Sequence, residues 1–329
     1  MVDYSDYLHL SELLSLQQTE SGKHGNPAHD EMLFIITHQA YELWFTQILH
    51  EITSVRKIMQ SRAMNDNSPE LQTVVQRLSR IVTILKVLVH QVEIMETMTP
   101  MDFLDFRDLL RPASGFQSWQ YKIIEGLLGL KFQHRHAQEY YLKQLKPEYV
   151  ELIKKAESES TVLGLVNIWL ERIPYTDEQR SWEQYQEAYV NSLSEEEKDN
   201  STDFINFFSD SNINDRGLSP KACRAALFIM LYRGYPILQL PFQLLNNLLE
   251  IDEQLSTWRY RHMNMVHRMI GTRIGTGGSS GKDYLKSAAD KHYIFSDLSK
   301  LTSFLIERRK LPQLTPEMER NLGFVAITK

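Results

Sequence analysis

The sequence predicts an all-α fold, a helical domain with long helices and a small acidic helical insertion. Three observations carry this reading. Apolar residues recur at three- and four-residue spacing over long stretches, capping signals open those stretches, and no period-2 strand or hairpin signal interrupts them. No repeat of solenoid length is present.

Asn26-Pro27 reads as an N-cap with Pro at the first helical position, and Asp30 and Glu31 place acids in the first turn. A periodic segment then runs to about Arg62. Ser68-Pro69 opens a second long helix through Leu71, Val75, Leu78, Val82, Leu85 and Val89. Thr99-Pro100-Met101-Asp102 resembles a capping box ahead of a short helix. Ser114 to Leu128 reads as another, stopped near Gly129. Ser219-Pro220 begins a helix to about Arg233. Pro236 and Pro241 precede a long one that runs to Gly271, and after a Gly-rich loop helix resumes to about Arg309.

With 329 residues the chain reads as a single domain over 1–329 that can bury a sizeable core. Asp plus Glu is 42 against 36 for Lys plus Arg, a net charge of −6, which argues against a nucleic-acid partner. No stretch approaches 18 uncharged apolar residues, so no membrane span is expected, and Met1 to Leu10 has no signal-peptide pattern. The single cysteine, Cys223, excludes an intramolecular disulfide and fits a reducing, cytoplasmic setting. It also excludes a c-type haem attachment and a multi-cysteine zinc or iron–sulfur site, leaving eleven histidines as candidate ligands.

One segment departs in composition. Residues 176–216, within an insertion drawn at 174–218, hold eleven acidic and three basic residues, a net of −8. It reads as a solvated helical insertion without catalytic residues.

Several motifs fail on inspection. The stretch Gly275 to Lys282 lacks the P-loop pattern, since Thr276 and Asp283 stand where Gly and Ser or Thr are required, and it follows a helix where a strand is needed. His50-Glu51 is not a zincin motif, because Ser54 replaces the second His. No Gly-x-Ser-x-Gly elbow is present.

Three residues stand out. His262 shares a helical face with Leu255, Trp258, Met265, Val266 and Met269. By itself such a ring is either a satisfied core histidine or a ligand. His267 lies about 140° around the helix, so the two cannot grip one metal together. A single axial histidine is what five-coordinate haem requires. His38 shares a face with Phe34, Ile35, Tyr41 and Phe45 and has the same two readings. Arg107 is flanked by Phe103, Leu104, Phe106 and Leu110. It either pairs with a carboxylate, for which its fork is suited, or snorkels to solvent.

The stretches His29-Asp-Glu-Met-Leu-Phe-Ile-Ile-Thr-His38-Gln-Ala-Tyr-Glu-Leu-Trp44, Phe106-Arg107-Asp108, Pro112-Ala-Ser-Gly-Phe-Gln-Ser118, Trp258-Arg-Tyr-Arg-His262 and Gly275-Thr-Gly-Gly-Ser-Ser-Gly281 resemble the tryptophan 2,3-dioxygenase family. The resemblance covers roughly residues 4–130 and 222–310. It implies a cytoplasmic homotetramer with non-covalent haem b, Fe(II) in the active state, that converts L-tryptophan and O2 to N-formyl-L-kynurenine. It further implies roles by position: His262 as proximal iron ligand, His38 as acceptor of the indole N–H, Phe34 and Phe103 as aromatic walls, and Arg107 as partner of the substrate carboxylate. Ile35, Ile36 and Thr37 fall in the same substrate-binding stretch. Gly275 and Thr276 match a substrate-contacting loop, and Ser114 and Gly115 a turn beside the haem. Tyr4, Tyr7 and Leu8 match an arm that caps a neighbouring subunit's site.

Two positions depart from bacterial relatives: Phe103 stands where many have Tyr, and Val92 where some have Trp. Three other readings remain at this stage. They are a haem-binding sensor without chemistry, a related haem enzyme acting on tyrosine, and a helical scaffold.

Overall fold

The computed structural model describes residues 1–61, 68–130, 145–173, 179–209, 217–275 and 293–323. The described residues are helical, with no strand among them.

The chain opens with three one-turn helices, α1 (Tyr4–Tyr7), α2 (Leu10–Leu13) and α3 (Glu20–Lys23). The long helix α4 follows (Glu31–Gln60). It starts four residues after the expected Pro27, because the chain first turns back on itself. The Glu31 carboxylate accepts from the backbone N–H groups of Glu20 (2.7 Å) and Ser21 (2.9 Å), and Ser21 Oγ accepts from Ala28 N.

Helix α5 (Pro69–Met95) begins where Ser68-Pro69 predicts. Its buried Leu71, Val75, Leu78, Val82, Leu85 and Val89 form the expected stripe. Each fully buried Leu or Val of this kind contributes roughly 1.5–3 kcal/mol. Helix α6 (Pro100–Arg107) has its capping box, with Thr99 Oγ1 accepting from Asp102 N and the Asp102 carboxylate accepting from Thr99 N.

The stretch read as one helix from Ser114 is two pieces. Gly115–Gln117 is a 3₁₀ turn closed by Ser114 and Gln117, and α7 (Trp119–Leu128) starts afresh with Ser118 as its cap. Gly129 ends α7 at φ 134°, a value that favours glycine.

Helices α8 (Pro147–Ser158), α9 (Val162–Leu170), α10 (Gln179–Val190) and α11 (Asn200–Phe208) follow. Helix α12 (Pro220–Leu231) precedes α13 (Gln239–Ile270), which has Pro241 in its first turn and stops at Gly271, φ 59°. Beyond residue 292 the helix expected to about Arg309 is α14 (Ser296–Lys300) and short 3₁₀ turns, before α15 (Pro316–Asn321).

Helix α5 is central, packed along both α13 and α4; α7 packs against α4 and α8, and α9 against α12 and α4. Among the described residues of the acidic segment the charges face outward, but aromatic residues are core. Tyr185, Tyr189, Phe204, Phe207 and Phe208 are buried against Phe304 in the same continuous cluster as α4, α5 and α13. A second, smaller cluster centres on Met95, Met98, Phe106 and Met269. It lies where α5, α6 and the end of α13 meet, beside the site described next.

Candidate functional site

Helices α4, α5, α6, α7 and α13 leave a cavity of about 670 Å³ between them, with a mostly apolar lining. His38 lines it from α4 and His262 from α13, together with Phe34, Phe103, Ser114 and Gly115. Six of the sequence-predicted residues are therefore brought to one space from four separate stretches of chain.

The two histidines differ in a way that decides their chemistry. His38 Nδ1 lies 2.7 Å from the carbonyl of Phe34. A carbonyl only accepts, so neutral His38 carries its proton on Nδ1 and leaves the Nε2 lone pair free. The ring is exposed by surface area because it opens into the cavity, and desolvation by the protein packed around that cavity lowers its pKa from the ordinary histidine value. His38 also lies against Phe34, ring centroids 4.1 Å apart. Phe34 in turn packs on Phe103 (5.7 Å) and Phe106 (5.6 Å), so one end of the cavity is an aromatic shelf beneath an acceptor nitrogen.

His262 has the reverse arrangement. Its Nδ1 is fully buried without a hydrogen-bond partner, and its ring stacks on Trp258 at 5.2 Å and 22°. Nε2 is thereby the nitrogen open to the cavity. Burial, reinforced by the nearby His38, pushes the His262 pKa down to about 4. At neutral pH the ring is uncharged and its lone pair is free to bind a metal. Among the described residues no three His, Cys, Asp or Glu side chains gather as a metal site. A metal held by His262 would have to arrive with its remaining ligands.

Ser114 and Gly115 reach the cavity through their 3₁₀ turn. A Cβ on Gly115 would meet no atom within 4 Å, so the chain's own packing does not require glycine there.

Arg107 does not line the cavity. It is 4% exposed at the end of α6, and its guanidinium donates to the carbonyl of Ile274, with Asp108 Oδ1 at 3.9 Å. This ties α6 to the residue preceding Gly275. The chain is held again at Ile294 and Phe295. The Asp252 carboxylate on α13 accepts from Ile294 N (3.0 Å) and Phe295 N (2.6 Å), and burial pushes its pKa up to about 6. Thr276 lies outside the described residues, whereas Gly275 is half-buried.

Thr37 is buried within α4, its carbonyl accepting from Gln91 Nε2 (2.9 Å); Ile35 is half-buried and Ile36 exposed, and none of the three lines the cavity. Tyr4, Tyr7 and Leu8 are exposed, on a helix with no buried residue.

Sequence reasoning assigned no role to Tyr121, Gln120 or Glu42, which also line the cavity. Gln120 Nε2 donates to a Glu42 carboxylate oxygen (2.9 Å) and Thr46 Oγ1 donates to Gln120 Oε1 (2.9 Å), a small polar cluster in the apolar wall. The signal was available in part, since Glu42 lies one helical turn beyond His38.

Comparisons with known proteins give the family of the chain. A family model described as tryptophan 2,3-dioxygenase matches residues 1–206 and 206–305. The chain is 43% identical to the tryptophan 2,3-dioxygenase of Xenopus laevis, over 97% of this chain and 86% of that protein. It is 42% identical to the protein of that name from Bdellovibrio bacteriovorus, over 98% of each. The Rattus norvegicus protein of the same name is 40% identical, over 97% of this chain and 86% of its own length.

Proposed function

The chain belongs to the tryptophan 2,3-dioxygenase family, and from that premise we propose how its cavity carries out the reaction. The enzyme inserts both atoms of O2 across the indole C2–C3 bond of L-tryptophan, giving N-formyl-L-kynurenine. The cofactor is haem b in its ferrous form, held without a covalent link.

The cavity suits a group of that kind. Its volume falls in the usual range for ligand sites, its walls are mostly apolar, and Gly115 borders open space. One neutral histidine, His262, presents Nε2 to it, which matches a single axial ligand. When bound, ferrous haem supplies the redox chemistry that activates O2. The protein's own residues supply orientation and exclude water.

Phe34 and Phe103 hold the indole by ring packing. His38 accepts the indole N–H on Nε2, its tautomer fixed by the Phe34 carbonyl. Because burial lowers its pKa, His38 remains an acceptor at neutral pH. Arg107 takes the substrate carboxylate, a role that requires its guanidinium to exchange the Ile274 carbonyl for the substrate and to reach a cavity it does not line here. Gly275 and Thr276 contribute from that stretch. Such fixation can supply several kcal/mol of barrier reduction.

The observation that carries this reading is the pair of histidines facing one apolar cavity, one with its acceptor nitrogen free and the other with its ligand nitrogen free. The exposed apolar arm Tyr4, Tyr7 and Leu8 supports a homotetramer in which each arm caps a neighbour's cavity. No helix among the described residues is long and apolar enough to cross a membrane, and a cytoplasmic location accords with a single, buried cysteine, Cys223, that forms no disulfide. The test is direct: load the chain with haem, reduce it anaerobically, add L-tryptophan and O2, and follow N-formylkynurenine by absorbance. Haem uptake with no product would overturn the assignment.

A further inference from the structure

Helices α7 and α13 each contribute residues to the cavity wall. Helix α13 packs along α5, and α7 packs along α4 and α8, so the cavity opens between α7 and α13. At its base a charged pair crosses the gap. Arg259, 3% exposed, donates from a terminal guanidinium nitrogen to Glu125 Oε1 at 2.9 Å, and Glu125 is 1% exposed. The same guanidinium donates through Nε to the Tyr121 hydroxyl at 3.1 Å.

These contacts lead straight to the proposed iron ligand. Arg259 is three residues before His262 on α13 and adjoins Trp258. The Tyr121 ring, held by Arg259 at its hydroxyl, packs on Trp258 at 5.1 Å and on Phe45 at 5.5 Å. Trp258 then stacks on His262. The sequence of contact is Glu125, Arg259, Tyr121, Trp258, His262, and three of its members line the cavity.

Burying a guanidinium and a carboxylate is costly, and an apolar pair of similar volume often serves stability as well or better. Stability alone therefore does not explain why a pair stands here. What an apolar pair cannot supply is direction, since the planar guanidinium fork fixes the angle and spacing of both acceptors on α7. We propose that Arg259, Glu125 and Tyr121 are positioning residues that set the tilt of His262 toward the cofactor through Trp258. This rests on the reading of His262 as the axial ligand.

The test uses the haem-loaded, full-length protein. Arg259→Met with Glu125→Leu removes both charges of the pair together, and the buried Lys122, whose Nζ lies 3.9 Å from Glu125 Oε2, loses that neighbour. The variant is expected to keep the wild-type haem content. Its ferrous iron–histidine vibration should shift and broaden, and kcat should fall about tenfold or more with KM for tryptophan within about twofold, since small misplacements of a reacting group can cost up to about 10²-fold. Tyr121→Phe, which keeps the ring and removes the hydroxyl that Arg259 holds, should shift the same vibration by a smaller amount. A double variant with an unchanged vibration and kcat would reduce the pair to a structural one. If the double variant does not fold, Tyr121→Phe decides: a shifted vibration at unchanged melting temperature supports the inference, and an unchanged vibration overturns it. Absence of any iron–histidine vibration in the wild type would instead sink the reading of His262, which keeps the two failures distinct.

Discussion

Two aromatic-rich regions of this molecule are built from the same residue types and do opposite things. Around Phe204, Trp182, Tyr189, Phe208 and Phe304 pack ring on ring at 4.7–5.5 Å. The tyrosines there are satisfied, with Tyr185 and Tyr189 donating to the carbonyls of Phe304 and Ser303. Around His262, Trp258 and Tyr121 line open volume, and both His262 Nδ1 and Trp258 Nε1 are buried without hydrogen-bond partners. Buried polar groups are normally paired. The first region spends its aromatic residues on cohesion, whereas the second leaves space and polar atoms that a bound group can use. Aromatic content alone does not mark a site; unfilled volume beside an open nitrogen does.

The contrast is broken most severely at His262. His262→Ala should abolish haem binding, read from the Soret band of the purified protein, while His267→Ala on the exposed side should retain it. Haem loss from the second variant and not the first would reverse the assignment. Next in size, Phe204→Ala should cost about 3–5 kcal/mol in denaturant unfolding, as large core deletions do, and leave the haem spectrum of the folded fraction unchanged. A changed spectrum would mean that the two regions are not separable.

The pH response sharpens the same comparison, because the aromatic core around Phe204 contains no histidine. The folded His262 pKa of about 4 lies below the ordinary 6.5, so the unfolded chain takes up the extra proton first as the pH falls. This contribution is complete above pH 6.5 and is lost toward pH 4, about 3 kcal/mol in all. His38 acts in the same direction. Asp252, raised to about 6, acts in the opposite one: its buried charge is a cost at neutral pH that is relieved as the pH falls below about 6. Comparison with His262→Gln isolates the first contribution. Between pH 7 and pH 5 the haem-free wild type should lose about 2 kcal/mol more than the variant, and equal losses would contradict a buried neutral His262.

Two smaller effects probe the substrate side. Arg107→Lys should lower kcat/KM by roughly tenfold or more with haem content unchanged, since hydrogen bonds to charged groups contribute about 1.5–3 kcal/mol. Tryptamine should be a poor substrate of the wild type, and equal turnover of tryptamine and tryptophan would remove the role. His38→Ala should cost only about fivefold, the worth of one neutral hydrogen bond. A thousandfold loss with intact haem would indicate proton abstraction by His38 instead.

Much of the fold was legible because periodicity and caps are local. The start of α5 at Pro69, the capping box of α6 and the stop of α13 at Gly271 follow from residues a few positions apart. Where the reading slipped, a longer-range contact intervened. Glu31 is drawn back to Glu20 and Ser21, which delays α4. The acidic segment read as solvated because its charges are frequent, yet Phe204 and Tyr189 are core, and only the packing of Phe304 from about a hundred residues later makes them so.

The sequence by itself determined the helical class, the family, and the oddity of two histidines and an arginine set among apolar neighbours. Those properties live in residue types and their spacing, which a linear chain already contains. Tertiary structure alone decided that α4 and α13 present their histidines to one cavity, that Phe34 takes the Nδ1 proton of His38, and that His262 keeps Nε2 open. It likewise decided that Arg259 meets Glu125, 134 positions away. Cavity shape, burial and the direction of a lone pair are set by surfaces that meet only when the chain folds. Helical periodicity specifies which face of each helix is apolar, but not which other face will cover it.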